Sequence, residues 1–197
     1  MKKLVWGMII LMTLSLGIFV LEAPNEIYDD QIKEILIKKK ENVVSSTAYT
    51  PTDNYFSLSL IEVVKMYQIY YPSAEISSVD LESDSGKYYF VVKGRDKNKE
   101  YGIKIHPETK KIKKRVVEYL DSKEKAKEDS SKHSIDTSQL IPLGEITKIA
   151  QKYVEKGKPI EWHLKKEESS AYWNVIFKYN ENKIEVKVNA YTGEIFL

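Results

Sequence analysis

The chain of 197 residues contains no cysteine. That excludes disulfides, thiolate metal sites, cysteine nucleophiles and lipid attachment through a cysteine. It leaves the compartment open, because exported bacterial proteins also do without cysteine. Arginine is nearly missing: Arg95 and Arg115 are the only two, so the positive charge is almost all lysine. Lysine is a solvated point charge and a poorer bidentate phosphate reader than arginine. The net charge is only +2 and is not gathered in one block. Nucleic acid is therefore not an expected partner. Histidine is limited to His106, His133 and His163, with no HExxH and no close pair, so they read as solvated and not as metal ligands. GxSxG, P-loop and GxGxxG motifs are absent. The run Asp80-Leu-Glu82-Ser-Asp84-Ser-Gly86 is loosely like a calcium loop. It lacks glycine at position six and has Val91 at position twelve, so it reads as a polar hairpin. The acid pairs Asp29-Asp30 and Glu167-Glu168 read as solvated side chains. The expectation is a protein with no catalytic residue, no cofactor and no metal.

Charge is also missing from Leu4 to Leu21, a run with about eleven Leu, Ile, Val or Phe residues. As a helix it would measure about 27 Å, near the thickness of a bilayer core. Insertion would gain on the order of 5 kcal/mol before its polar and glycine residues are subtracted. Lys2 and Lys3 precede it, and Glu22, Glu26, Asp29 and Asp30 follow. That order predicts a cytoplasmic amino terminus and an extracytoplasmic remainder. A cleaved signal peptide is the competing reading. Leu21-Glu22-Ala23 is a poor cleavage site, and cutting after Ser15-Leu16-Gly17 would leave a greasy new terminus. Residues 1–24 are thus expected to be an uncleaved, single-pass anchor contacting the membrane through residues 4–21. Residues 25–56 follow as a juxtamembrane helix and linker, with acids at the helix start and Lys38 to Lys40 at its end.

The rest of the chain repeats itself. Tyr101-Gly-Ile-Lys-Ile-His-Pro-Glu-Thr-Lys-Lys-Ile112 and Ile184-Glu-Val-Lys-Val-Asn-Ala-Tyr-Thr-Gly-Glu-Ile195 share an alternating strand, a turn with a threonine, and a closing isoleucine. Equivalent positions lie about 83 residues apart, as with Leu81 and Leu164. In the first copy Ser59-Leu-Ile-Glu62 is a capping box, and Leu60, Val63, Val64 and Tyr67 fall at helical spacing. In the second, Pro142 suits a helix start, and Leu143, Ile146, Ile149 and Ala150 form the stripe. Alternating strands follow each helix. Between the copies, Glu118 to Gln139 is charged, Ser-rich and short of apolar residues. The expected fold class is α+β: an N-terminal transmembrane helix, then two repeats, each one helix packed on a three- or four-stranded antiparallel sheet. The boundaries are 57–117 for the first repeat, 118–139 for the linker and 140–197 for the second.

The second copy, with its closing Asn189-Ala190-Tyr191-Thr192-Gly193-Glu194, resembles the PepSY domain. The family's usual pattern there is Asp-Ala-x-Thr-Gly-Glu-Ile, with Asp where this chain has Asn189. The first copy is similar but weaker, since His106 to Lys111 replaces that motif. Its Tyr88-Tyr89-Phe90-Val91-Val92-Lys93-Gly94 also resembles the cystatin-like domain of some membrane-anchored Gram-positive proteins. PepSY domains occur in propeptides of thermolysin-like metalloproteases, which they inhibit and chaperone, and on the outer face of membranes. The resemblance implies a non-catalytic binding protein at the cell surface, with a protein or peptide partner. Inhibition of a cell-surface peptidase is its sharpest form. The alternative is a structural or scaffold subunit of an envelope complex. The resemblance also implies that Asn189 to Glu194 serve as a structural turn.

Overall fold

A computed structural model describes residues 18–21, 56–120, 133–154 and 156–196. The expected segments 4–17 of the anchor, the helix over 25–41, the linker over 45–54 and most of the charged connector lie outside those residues. The elements in chain order are β1 (Ile18–Leu21), α1 (Leu60–Tyr70), β2 (Glu75–Asp84), β3 (Lys87–Arg95), β4 (Lys99–Ile105) and β5 (Ile112–Tyr119). They continue with α2 (Leu143–Gln151), β6 (Lys158–Glu167), β7 (Ser170–Tyr179), β8 (Asn182–Asn189) and β9 (Ile195–Phe196). All nine strands join one sheet in the order β1-β5-β4-β3-β2-β6-β7-β8-β9, and every described pairing is antiparallel.

This corrects the expected fold class in two respects. The two expected helix-on-sheet repeats are replaced by one continuous sheet, because β2 pairs directly with β6. Ser78 to Leu81 lie opposite Lys165 to Trp162. The pairing puts Val79 and Leu81 on the same side as Trp162 and Leu164, and all four are buried. A unit of about 60 residues buries a marginal core alone; fusing two edges removes both edges and merges the apolar faces. The result is one hydrophobic cluster that runs from Tyr67 and Phe90 to Trp173 and Phe177.

The second correction concerns the anchor. Ile18 to Leu21, the end of the expected membrane helix, form strand β1 and pair with Arg115 to Glu118 on β5. Ile-Phe-Val-Leu suits a short strand as well as a helix, and periodicity does not separate them in a run of four. Strand β5 supplies the backbone partners that decide it. Among the described residues no helix is long and apolar enough to cross a membrane.

Both helices lie on one face. Helix α1 packs against β3, and α2 against β7 and β8. The capping box forms at the start of α1: the Ser59 N–H donates to Glu62 Oε2 at 3.0 Å, and the Glu62 N–H donates to Ser59 Oγ at 3.3 Å. Pro142 stands at the N-cap of α2 and accepts from the Ile146 N–H at 3.0 Å. Helix α2 is tied to β6 by a buried relay. Trp162 Nε1 donates to Thr147 Oγ1 at 2.9 Å, and that hydroxyl donates to the Leu143 carbonyl at 2.7 Å. Phe56 closes the join, with its ring edge-on to both Phe90 and Trp162. Gly94 permits the closest approach on the first half. A Cβ there would stand 2.2 Å from the Glu75 carbonyl oxygen and 2.5 Å from the Tyr67 hydroxyl.

Candidate functional site

The six motif residues close the loop between β8 and β9. Asn189 is buried, and its Oδ1 accepts from the N–H groups of Tyr191 at 2.9 Å and Thr192 at 3.1 Å. Its own N–H donates to the Glu194 carbonyl at 2.7 Å, and its carbonyl accepts from Gly193 at 3.0 Å. Thr192 Oγ1 accepts from the Glu194 N–H at 3.3 Å. Gly193 takes a φ of +76°, a region that disfavours side chains with a Cβ. Ala190 is buried; its N–H donates to Ala171 and its carbonyl accepts from Ile141, each at 2.8 Å. Burial also raises the Tyr191 pKa. The polar groups of this loop thus bond chiefly to one another, and hold β8, β9 and the approach to α2 in one arrangement.

The loop between β4 and β5 builds the same bonds from other residues. His106 Nδ1 accepts from the N–H groups of Glu108 at 3.2 Å and Thr109 at 3.4 Å. The His106 carbonyl accepts from Lys110 at 2.9 Å. Lys110 has a φ of +57° and donates to Glu62 at 2.8 Å, which ties the loop to α1. His106 is thus a turn acceptor and not merely a solvated side chain. The 83-residue offset carried the signal, since it aligns His106 with Asn189 and Lys110 with Gly193.

The sheet face turned away from the helices carries the charged groups. At its middle, Asp80 and His163 stand opposite each other in the ladder. Asp80 Oδ1 lies 2.8 Å from His163 Nδ1. His163 Nε2 lies 3.7 Å from Glu161 Oε2, and Lys183 bonds Glu161 at 2.9 Å. Donation from the His163 ring to the Asp80 carboxylate raises the His163 pKa above its ordinary value, against a smaller lowering by burial. The Lys183 ammonium holds Glu161 below the usual carboxylate range. His163 does face away from the core, as its alternation with Trp162 and Leu164 requires, but it is hydrogen-bonded to Asp80 and not simply solvated. Asp84 of the loosely calcium-like run bonds Lys104 at 2.6 Å. Among the described residues no group of His, Asp and Glu is placed to hold a metal. Glu167 contacts Lys187, Glu168 sits in the β6–β7 turn at a φ of +51°, and Asp29 and Asp30 lie outside the described residues. His133 is exposed.

Over β3, β4 and β5 the same face forms an open groove of about 370 Å³. Gly102, lacking a side chain, forms its hollow between Lys93 and Val116. Lys104 and Lys114 lie at one end, and Glu100 and Glu118 at the other. Such a floor offers charge pairing at both ends and apolar contact between. It is suited to an extended polar chain and not to enclosing a small molecule.

Residues 140–196 match the family described as "PepSY: Peptidase propeptide and YPEB domain". The carboxy-terminal part of the chain is therefore similar to PepSY domains. The match includes α2, β6 to β9 and the Asn189–Glu194 loop; residues 57–117 stand outside it. A crystal structure of a "putative lipoprotein" from Clostridium difficile 630 is also similar, with a TM-score of 0.66 and 25% identity. The likeness covers 72% of this chain and 92% of that one. That share is larger than the PepSY domain alone supplies, so it reaches into the strands that precede the domain. No curated protein matches the chain.

Proposed function

We propose that the chain is a surface-exposed PepSY-type binding protein that modulates an extracellular peptidase. The PepSY match over 140–196 carries this reading, because the family description itself names peptidase propeptides. The similar structure described as that of a "putative lipoprotein" supports a place at the outer face of a membrane. In this reading it acts on a separate peptidase, in trans. The exposed groove over β3 to β5 offers the contacts, and the chain binds its partner without transforming it.

Adding the purified chain to secreted metallopeptidases should slow cleavage of a fluorogenic peptide while the chain itself stays intact. Unchanged turnover across the secreted peptidases of the same cell, with no crosslinked complex on intact cells, would remove the proposal.

A further inference from the structure

Among the described strands, the β8 side of the sheet ends in an edge that is only half covered. The two described residues of β9 lie against Lys187 and Val188. Residues 182–186 of β8 therefore have β7 on one side and no described strand on the other. The direction of their backbone groups follows from the closing loop. The Asn189 N–H donates to Glu194 on the β9 side, and the Ala190 N–H donates to Ala171 on the β7 side. Alternation then turns the N–H and C=O of Lys183 and Glu185 outward. Ile184 between them is 39% exposed, and Phe196 at the end of the same edge is 40% exposed.

Charged residues on an edge strand usually discourage pairing with another chain. Here their order matters. In an antiparallel pair of two β8 strands centred on Ile184, Lys183 of each copy faces Glu185 of the other. The outward groups of those residues then form two hydrogen-bonded pairs, and Ile184 meets Ile184 between them. Centred one residue earlier, the same edge would set Lys183 against Lys183. The Lys183 side chain is 59% exposed and Glu185 is exposed, so both are accessible to a second chain. Lys183 keeps its bond to Glu161 at 2.9 Å and would lie between two carboxylates. We infer that two copies of this protein associate through the β8 edge, in the register that pairs Lys183 with Glu185 about a two-fold axis at Ile184. The sheets of both copies then run on as one, and the interface is isologous. The ladder is short, so the dimer is weak and depends on concentration. This association is independent of the peptidase reading.

The absence of cysteine makes the register directly measurable. In the full chain, Ile184→Cys places two thiols in a non-hydrogen-bonded pair about 4.5 Å apart at Cα, within disulfide range. Mild oxidation should give a crosslinked dimer about tenfold faster than Tyr153→Cys, whose parent residue is 58% exposed and far from the edge in sequence. In the Ile184→Cys background, Lys183→Glu alone or Glu185→Lys alone should suppress crosslinking. Mixing those two variants should restore it, since each charge then meets its opposite. Restoration on mixing cannot come from misfolding. Glu185→Pro removes an outward N–H while sparing the ladder to β7, and should also suppress the dimer. Equal crosslinking from Ile184→Cys and Tyr153→Cys, or no recovery on mixing the charge variants, overturns the inference.

Discussion

Replacing His163 with glutamine tests the join between the two halves of the sheet. Asp80 and His163 bridge β2 and β6, the only described ladder linking β2–β5 to β6–β9. Their side chains are 13% and 24% exposed, so the pair is partly shielded from water. A charge-assisted hydrogen bond of this kind contributes about 1–2 kcal/mol when some screening remains. Its pH dependence has a definite sign. Asp80 raises the His163 pKa above the ordinary 6.5. The contribution is therefore full below about pH 6.5 and is lost as pH rises through the folded value. Glu161 moves the opposite way, since its lowered pKa gives stability that is lost only as pH falls below the carboxylate range. Between about pH 5.5 and 8.5 histidine is the side chain that ordinarily titrates, and subtracting the variant from wild type isolates His163. Urea unfolding should show wild type ahead of His163→Gln by about 1–2 kcal/mol at about pH 5.5. The gap should be smaller at about pH 8.5 than at about pH 5.5. Parallel curves, or a gap that widens with pH, would refute the reasoning.

Other substitutions probe the framework. Gly94→Ala drives a Cβ into the Glu75 carbonyl, and should cost about 3 kcal/mol or prevent folding, read as a lowered Tm or loss of soluble protein. Thr147→Val removes the Thr147 hydroxyl that accepts from the Trp162 indole N–H; a loss of about 1–3 kcal/mol is expected, together with a shift in tryptophan emission. Asn189→Ala leaves the Tyr191 and Thr192 amides without their acceptor and should cost about 1–3 kcal/mol. Asn189→Asp keeps that acceptor and should lose markedly less in the same thermal melt.

Local structure was readable because each signal is local. Ser59 and Glu62 sit three apart, and the capping box needs nothing else. Alternation in Trp162, Leu164, Trp173, Val175 and Phe177 marks one buried face whichever strands are neighbours. Register between distant strands is not written that way. Nothing in Ser78 to Leu81 alone says that β6 will lie beside it, so two sheets were expected where one exists. Ile18 to Leu21 failed for a related reason, since a short apolar run takes the form its partner offers. The site was legible only in part. The residues Asn189 to Glu194 read as a turn in the sequence, whereas His106, with no histidine or carboxylate partner nearby in sequence, reads only as solvated. The Asp80–His163 pair was missed although its members stand at the repeat offset of 83.

Titrating a secreted metallopeptidase with the purified chain tests the binding claim most directly. The account predicts a saturable fall in turnover of a small peptide substrate, with the chain recovered whole. Undiminished turnover accompanied by digestion of the folded chain would make it a substrate and contradict the account.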